Sequence, residues 1–177
     1  MLAPDERQAL LRLAREAIAA RLGARSIVLP APVGGMARRT GAFVTIRHHE
    51  RLRGCVGSAN RAEPLVEVVA RCAGDAATLD PRFLPLPFDD LPDVVLEISV
   101  LGPLEPVTDP AEIEVGRHGL VVEQGAHSGL LLPQVPIEWG WDRETFLSRA
   151  CVKAGLAPDG WQTGASLFSF EAQVFGE

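Results

Sequence analysis

The sequence predicts an α+β fold with a largely antiparallel sheet and flanking helices. Two strand-rich runs each fold back on themselves around a polar turn, and the helix-patterned segments stand apart from them instead of alternating strand by strand. Seventeen glycines and 14 prolines add many turns and long connections. At 177 residues, with 47% hydrophobic and 23% charged side chains, the chain suits one soluble domain with a real core.

From the N-terminus, Pro4, Asp5 and Glu6 suit a helix start. Leu10, Leu13, Ala14, Ala17, Ile18 and Leu22 then recur at helical spacing, and Gly23 is placed to end the helix. A Pro/Gly loop leads to "GAFVTIRHHERLRGCVGS", a hairpin from about Ala42 to Val56. Pro64 opens a second helix whose apolar stripe includes Val68, Val69, Cys72 and Ala76. "DPRFLPLPFDDLP" reads as a loop, "VVLEISVL" as a strand, and "GLVVEQGAHSGLLLPQV" as a second hairpin turning near Gly125 to Gly129. A third helix starts at Asp142 and stops at Gly155, and "LFSFEAQVF" closes the chain as one last strand.

Net charge of −6 and a pI near 5.3 disfavour nucleic acid and anionic membranes as partners. No segment reaches the roughly 18 apolar residues of a membrane span, and no signal peptide is legible, so the expectation is a cytoplasmic protein. Three cysteines, with no C-x-x-C pair, fit reduced thiols. Cys72 and Cys151 fall on apolar helix stripes and read as small core residues.

Cys55 differs, lying at a strand end between Gly54 and Gly57 in "RLRGCVGS". Glycines there permit close backbone approach to a ligand or partner. Strand alternation sets Arg53 and Cys55 about 7 Å apart on one face, near enough for the guanidinium to favour the thiolate. Two readings stand: an accessible, activated thiol, or a bulge in which Cys55 fills a gap and Arg53 pairs with an acid such as Glu97.

No metal site is expected, because His48 and His49 in the turn lie roughly 13 Å from Cys55 along the strand. Lys153 is the only lysine beside 16 arginines, and it stands either as a cleft residue or as a favourable cation in the last turn of its helix. Asp80 and Arg82 flank Pro81 and suit a turn with a local ion pair. Glu97, a lone acid in an apolar strand, needs a partner.

The ordered segments "GAFVTI", "LRGCVG", "DPRF", "EISVL", "GLLLPQV" and "CVKAGL" resemble the AMMECR domain family, called AmmeMemoRadiSam system protein A in prokaryotes. Val56 stands where the family usually has isoleucine. The resemblance covers nearly the whole chain, 1–177, as a single domain. It implies two unequal lobes, the larger from both chain ends and the smaller from the middle, with "LRGC" at a cleft between them. The leading reading is an enzyme or carrier using Cys55, supported by Arg53 and Lys153, with Gly54, Gly57, Asp80, Arg82, Glu97 and Gln134 lining the cleft. The implied setting is a modification pathway with a Memo-type protein and a radical S-adenosylmethionine enzyme. No reaction, cofactor or oligomeric state is implied, and the three cysteines lack iron-sulfur cluster spacing. The alternative is a non-catalytic module binding a peptide, metabolite or protein, with nucleic acid disfavoured by charge.

Overall fold

The structure, a computed structural model, describes residues Met1–Glu177 and is α+β with two antiparallel four-stranded sheets. Its elements in chain order are α1 (Pro4–Leu22), β1 (Ala42–His48), β2 (Arg51–Ser58), α2 (Leu65–Thr78), β3 (Val94–Leu101), β4 (Glu105–Pro106), β5 (Gly119–Gln124), β6 (His127–Leu131), α3 (Gln134–Trp139), α4 (Arg143–Lys153), β7 (Ser166–Phe170) and β8 (Ala172–Gly176). They gather into two compact units, one of Met1–Leu101 with Gln173–Glu177, the other of Gly102–Ala172.

In the first unit the sheet order is β2-β1-β3-β8, so β2 is an edge strand. Alternation along β1 and β3 turns Val44, Ile46, Leu96 and Ile98 to one face, all fully buried. They share a core with Leu10, Ala14 and Ile18 of α1 and with Val68, Val69, Cys72 and Ala76 of α2. The helical spacing of those residues is what makes one stripe on each helix available to one sheet face. Gly23 ends α1 and Pro64 precedes α2, as the sequence predicts.

The second unit pairs its strands as β4-β7-β5-β6 and packs α4 on them through Phe146, Leu147, Ala150 and Cys151, all essentially inaccessible. Asp142 caps α4 by accepting a 2.8 Å bond from the Thr145 amide. The hairpin turns at Gly125, with a φ of +62°, and Gly129 lies inside β6 instead, where helix α4 approaches too closely for a side chain. Three features depart from expectation. The closing segment is two strands in different sheets, broken at Glu171; the short α3 and the two-residue β4 lack a readable period.

The β1-β2 hairpin sets up the site. Its two-residue turn, His49 and Glu50, has positive φ at both positions, matching the strand twist without glycine. Outward from the turn, His48 pairs with Arg51 and Arg47 with Leu52, but Ile46 pairs with Gly54 and Thr45 with Cys55. Arg53 is the extra residue of a β-bulge. A regular hairpin would pair Cys55 with the fully buried Val44; the bulge moves it to Thr45 and off the core face.

The same shift turns Gly54 inward. A Cβ there would lie 2.1 Å from the Ala76 carbonyl oxygen of α2, so glycine lets the bulged strand rest on the helix backbone. At Gly57 the Phe43 ring, opposite in register, occupies the side-chain position at 2.1 Å. The room these glycines leave is therefore taken by the protein itself, by helix backbone at Gly54 and by the Phe43 ring at Gly57. Gly54→Ala is expected to cost about 1–3 kcal/mol through forced separation of β2 and α2, measured by denaturant unfolding.

Candidate functional site

Because β2 is an edge, the outward N–H and C=O of Cys55 have no neighbouring strand. The "DPRF" segment after α2 supplies the missing partners. The Cys55 amide donates to Asp80 Oδ2 at 2.8 Å, and Arg82 Nη2 donates to the Cys55 carbonyl at 3.3 Å. Asp80 and Arg82 are themselves joined by Nε to Oδ1 at 2.9 Å and Nη2 to Oδ2 at 2.7 Å, with the Arg82 amide on Oδ1 at 3.1 Å. The ion pair thus acts as a two-point cap on the strand edge.

Asp80 is only 4% exposed and carries three kinds of donor. The Arg82 side chain holds its carboxyl down to about 2, helped by the Cys55 and Arg82 amides and opposed by burial. Arg82 is raised in turn, mainly by Asp80, then by the Cys55 thiol through charge and hydrogen bonding.

The sulfur of Cys55 is half-buried and accepts a 3.3 Å bond from Thr45 Oγ1. Thr45 stands abreast of Cys55 on one side and of Glu97 on the other, so thiol, hydroxyl and carboxylate form one cross-strand row. Cys72 and Cys151 are fully buried, and burial pushes Cys72 up to about 11 and raises Cys151 also.

Arg53 does not pair with Glu97. It donates to the Pro85 carbonyl at 3.1 Å, and its guanidinium lies over the Phe83 ring, 5.9 Å from the centroid; Arg82 lies over the same ring at 5.5 Å. Lys153 and Gln134 belong to the second unit, Lys153 exposed in the last turn of α4 and Gln134 half-buried at the start of α3. No group of three or more metal-donor side chains is gathered anywhere, and His48 and His49 stack on each other at 4.1 Å.

Thr45 and Phe83 escaped the sequence reading. The register that pairs Thr45 with Cys55 exists only because of the bulge, and Gly54 was its one signal.

The AMMECR1 family model matches residues 11–175. The chain belongs to the AMMECR1 family. A protein of Methanopyrus kandleri is 46% identical over 185 residues, covering 98% of this chain and 89% of the relative. One of Thermococcus onnurineus is 45% identical over 182 residues, covering 95% of this chain and 88% of the relative. The crystal structure of an uncharacterized protein from Pyrococcus horikoshii matches this AMMECR1 domain with a TM-score of 0.89 at 42% identity, covering 96% of this chain and 90% of that one. No helix of this AMMECR1 domain is long and apolar enough to cross a membrane.

The low Asp80 value has a pH consequence. Its folded pKa lies below the ordinary 3.8, so the stabilisation is fully present above about pH 4 and is lost as pH falls toward 2. Asp80→Asn is expected to lower stability by about 2 kcal/mol near neutrality. In urea melts across pH, the gap between wild type and variant should close between about pH 4 and pH 2.

Proposed function

We propose that Cys55 is the working thiol of this AMMECR1 domain, acting as a nucleophile or acceptor in a group-transfer reaction. One observation carries the reading: the bulge turns this cysteine off the core face, and a hydroxyl and a guanidinium then attend its sulfur and backbone. In such chemistry the thiol releases its proton to solvent. The thiolate then bonds to an electrophilic centre, and a leaving group departs with the displaced electron pair.

Thr45 orients the sulfur, and Asp80 acts through Arg82 and the backbone as a positioning residue. The same proposal assigns the domain to a modification pathway with a Memo-type protein and a radical S-adenosylmethionine enzyme. Co-purification of either partner with wild type, and its dependence on Cys55, tests that assignment separately.

Brief iodoacetamide treatment of the native protein, followed by peptide mass spectrometry, is expected to label Cys55 well ahead of Cys72 and Cys151, whose burial holds them as thiols. Labelling of either helix cysteine before Cys55 would return Cys55 to a packing role and leave a non-catalytic binding module as the better description.

A further inference from the structure

Exposed apolar surface gathers at two places away from the Cys55 hairpin in sequence, one in each compact unit. In the second unit, "PIEWGW" carries α3 to its end at Gly140, whose φ of +63° turns the chain so that the Trp139 and Trp141 rings stack at 6.2 Å. The Arg149 guanidinium continues the stack, 5.6 Å from the Trp141 ring centroid. Trp139 is nevertheless 70% exposed and Ile137 61%. The result is an aromatic ledge open to solvent.

In the first unit, "VLPAPV" runs from Val28 to Val33 without regular secondary structure. Pro30 and Pro32 fix their own φ and hold Leu29 and Ala31 out of the helical region, so the sequence favours polyproline II geometry here. Val28 is 91% exposed and Val33 60%. Single exposed apolar side chains are ordinary, but a contiguous run marks an interaction surface.

The two surfaces complement each other in shape and in charge. A stiff proline strip loses little entropy on docking, and flat indole rings are what such strips dock on. From Ala24 to Arg39 the chain has Arg25, Arg38 and Arg39 and no acid. The ledge is negative instead: Glu138, Asp142 and Glu144 are exposed around the tryptophans, against Arg143 and Arg149. Of those two arginines, Arg149 lies on Trp141 and Arg143 donates to the Ile113 carbonyl at 2.8 Å.

We propose that two copies of this chain pair reciprocally, each laying its Val28–Val33 segment across the Trp139–Trp141 ledge of the other. A twofold axis makes that contact twice and closes the assembly at a pair. The pairing does not depend on what Cys55 does.

Sedimentation equilibrium of the whole chain against concentration tests it. The mass is expected to rise from 19.0 kDa toward twice that value, with a blue shift of tryptophan emission as Trp139 leaves water. Val28→Asp and Trp139→Ser, both at exposed positions, should each weaken the pairing by at least about tenfold. Mixing the two variants places both substitutions in one contact and leaves the other contact intact, so the mixture should pair more tightly than either variant alone. Raised salt should weaken the wild-type pair.

A wild-type chain that stays at 19.0 kDa up to about 1 mM overturns the proposal and leaves the ledge to a different protein. Pairing that both variants leave unchanged overturns it too, by moving the interface elsewhere. Mass that grows past a pair overturns the reciprocal closure. Should Trp139→Ser fail to fold, the wild-type mass and the Val28→Asp variant still decide.

Discussion

The geometry around Cys55 depends on one buried carboxylate. Asp80 sits between a strand edge and a guanidinium, accepting from the Cys55 amide with one oxygen and from Arg82 with both. An unpaired ion at 4% exposure would be strongly disfavoured, so Asp80 requires Arg82, and Arg82 in turn reaches the Cys55 carbonyl. What a neighbouring strand would do with backbone groups, this edge does with an ion pair. The cap closes the edge to pairing with another chain and fixes the peptide units on either side of the thiol.

A second constraint decides which way that thiol faces. Strand side chains alternate with a period of two, so one inserted residue inverts everything beyond it. Arg53 is that residue: it sends Gly54 against the Ala76 carbonyl and Cys55 to the side of Thr45. The bulge, the glycine and the cap are thus one arrangement. Without glycine the bulged strand could not rest on α2, and without that seat the loop that leaves α2 would not bring Asp80 and Arg82 to the edge.

Much of this fold was legible in the chain. The stripes of α1, α2 and α4, their proline, aspartate and glycine boundaries, and the two hairpins follow from period and turn chemistry. The closing segment was not, because "LFSFEAQVF" is continuously β-prone and nothing local says that Phe170 and Ala172 belong to different sheets. At the site, the glycines around Cys55 were legible as marks of close approach, but what they accommodate was not. A glycine announces a close approach without naming the approaching group, which here is helix backbone and a phenylalanine ring. Likewise the Asp80–Arg82 pair was legible as a local ion pair, whereas its grip on Cys55, 25 residues earlier, required the tertiary fold. The glycines had suggested a bulge, but only the register places its extra residue at Arg53, and on that placement depend both the lost alternation of Arg53 with Cys55 and the pairing of Thr45.

These relations give physical sense to the joint presence of "LRGC" and "DPRF" in an AMMECR1 chain: the second segment caps the edge of the first. The most direct test is amide hydrogen exchange at Cys55 by NMR. The account predicts a protected Cys55 N–H despite its place on an open edge, with protection lost in Asp80→Ala, which removes the acceptor, while Val44 and Ile46 in β1 stay protected. A Cys55 amide that exchanges freely in wild type, or stays protected in the variant, would contradict it.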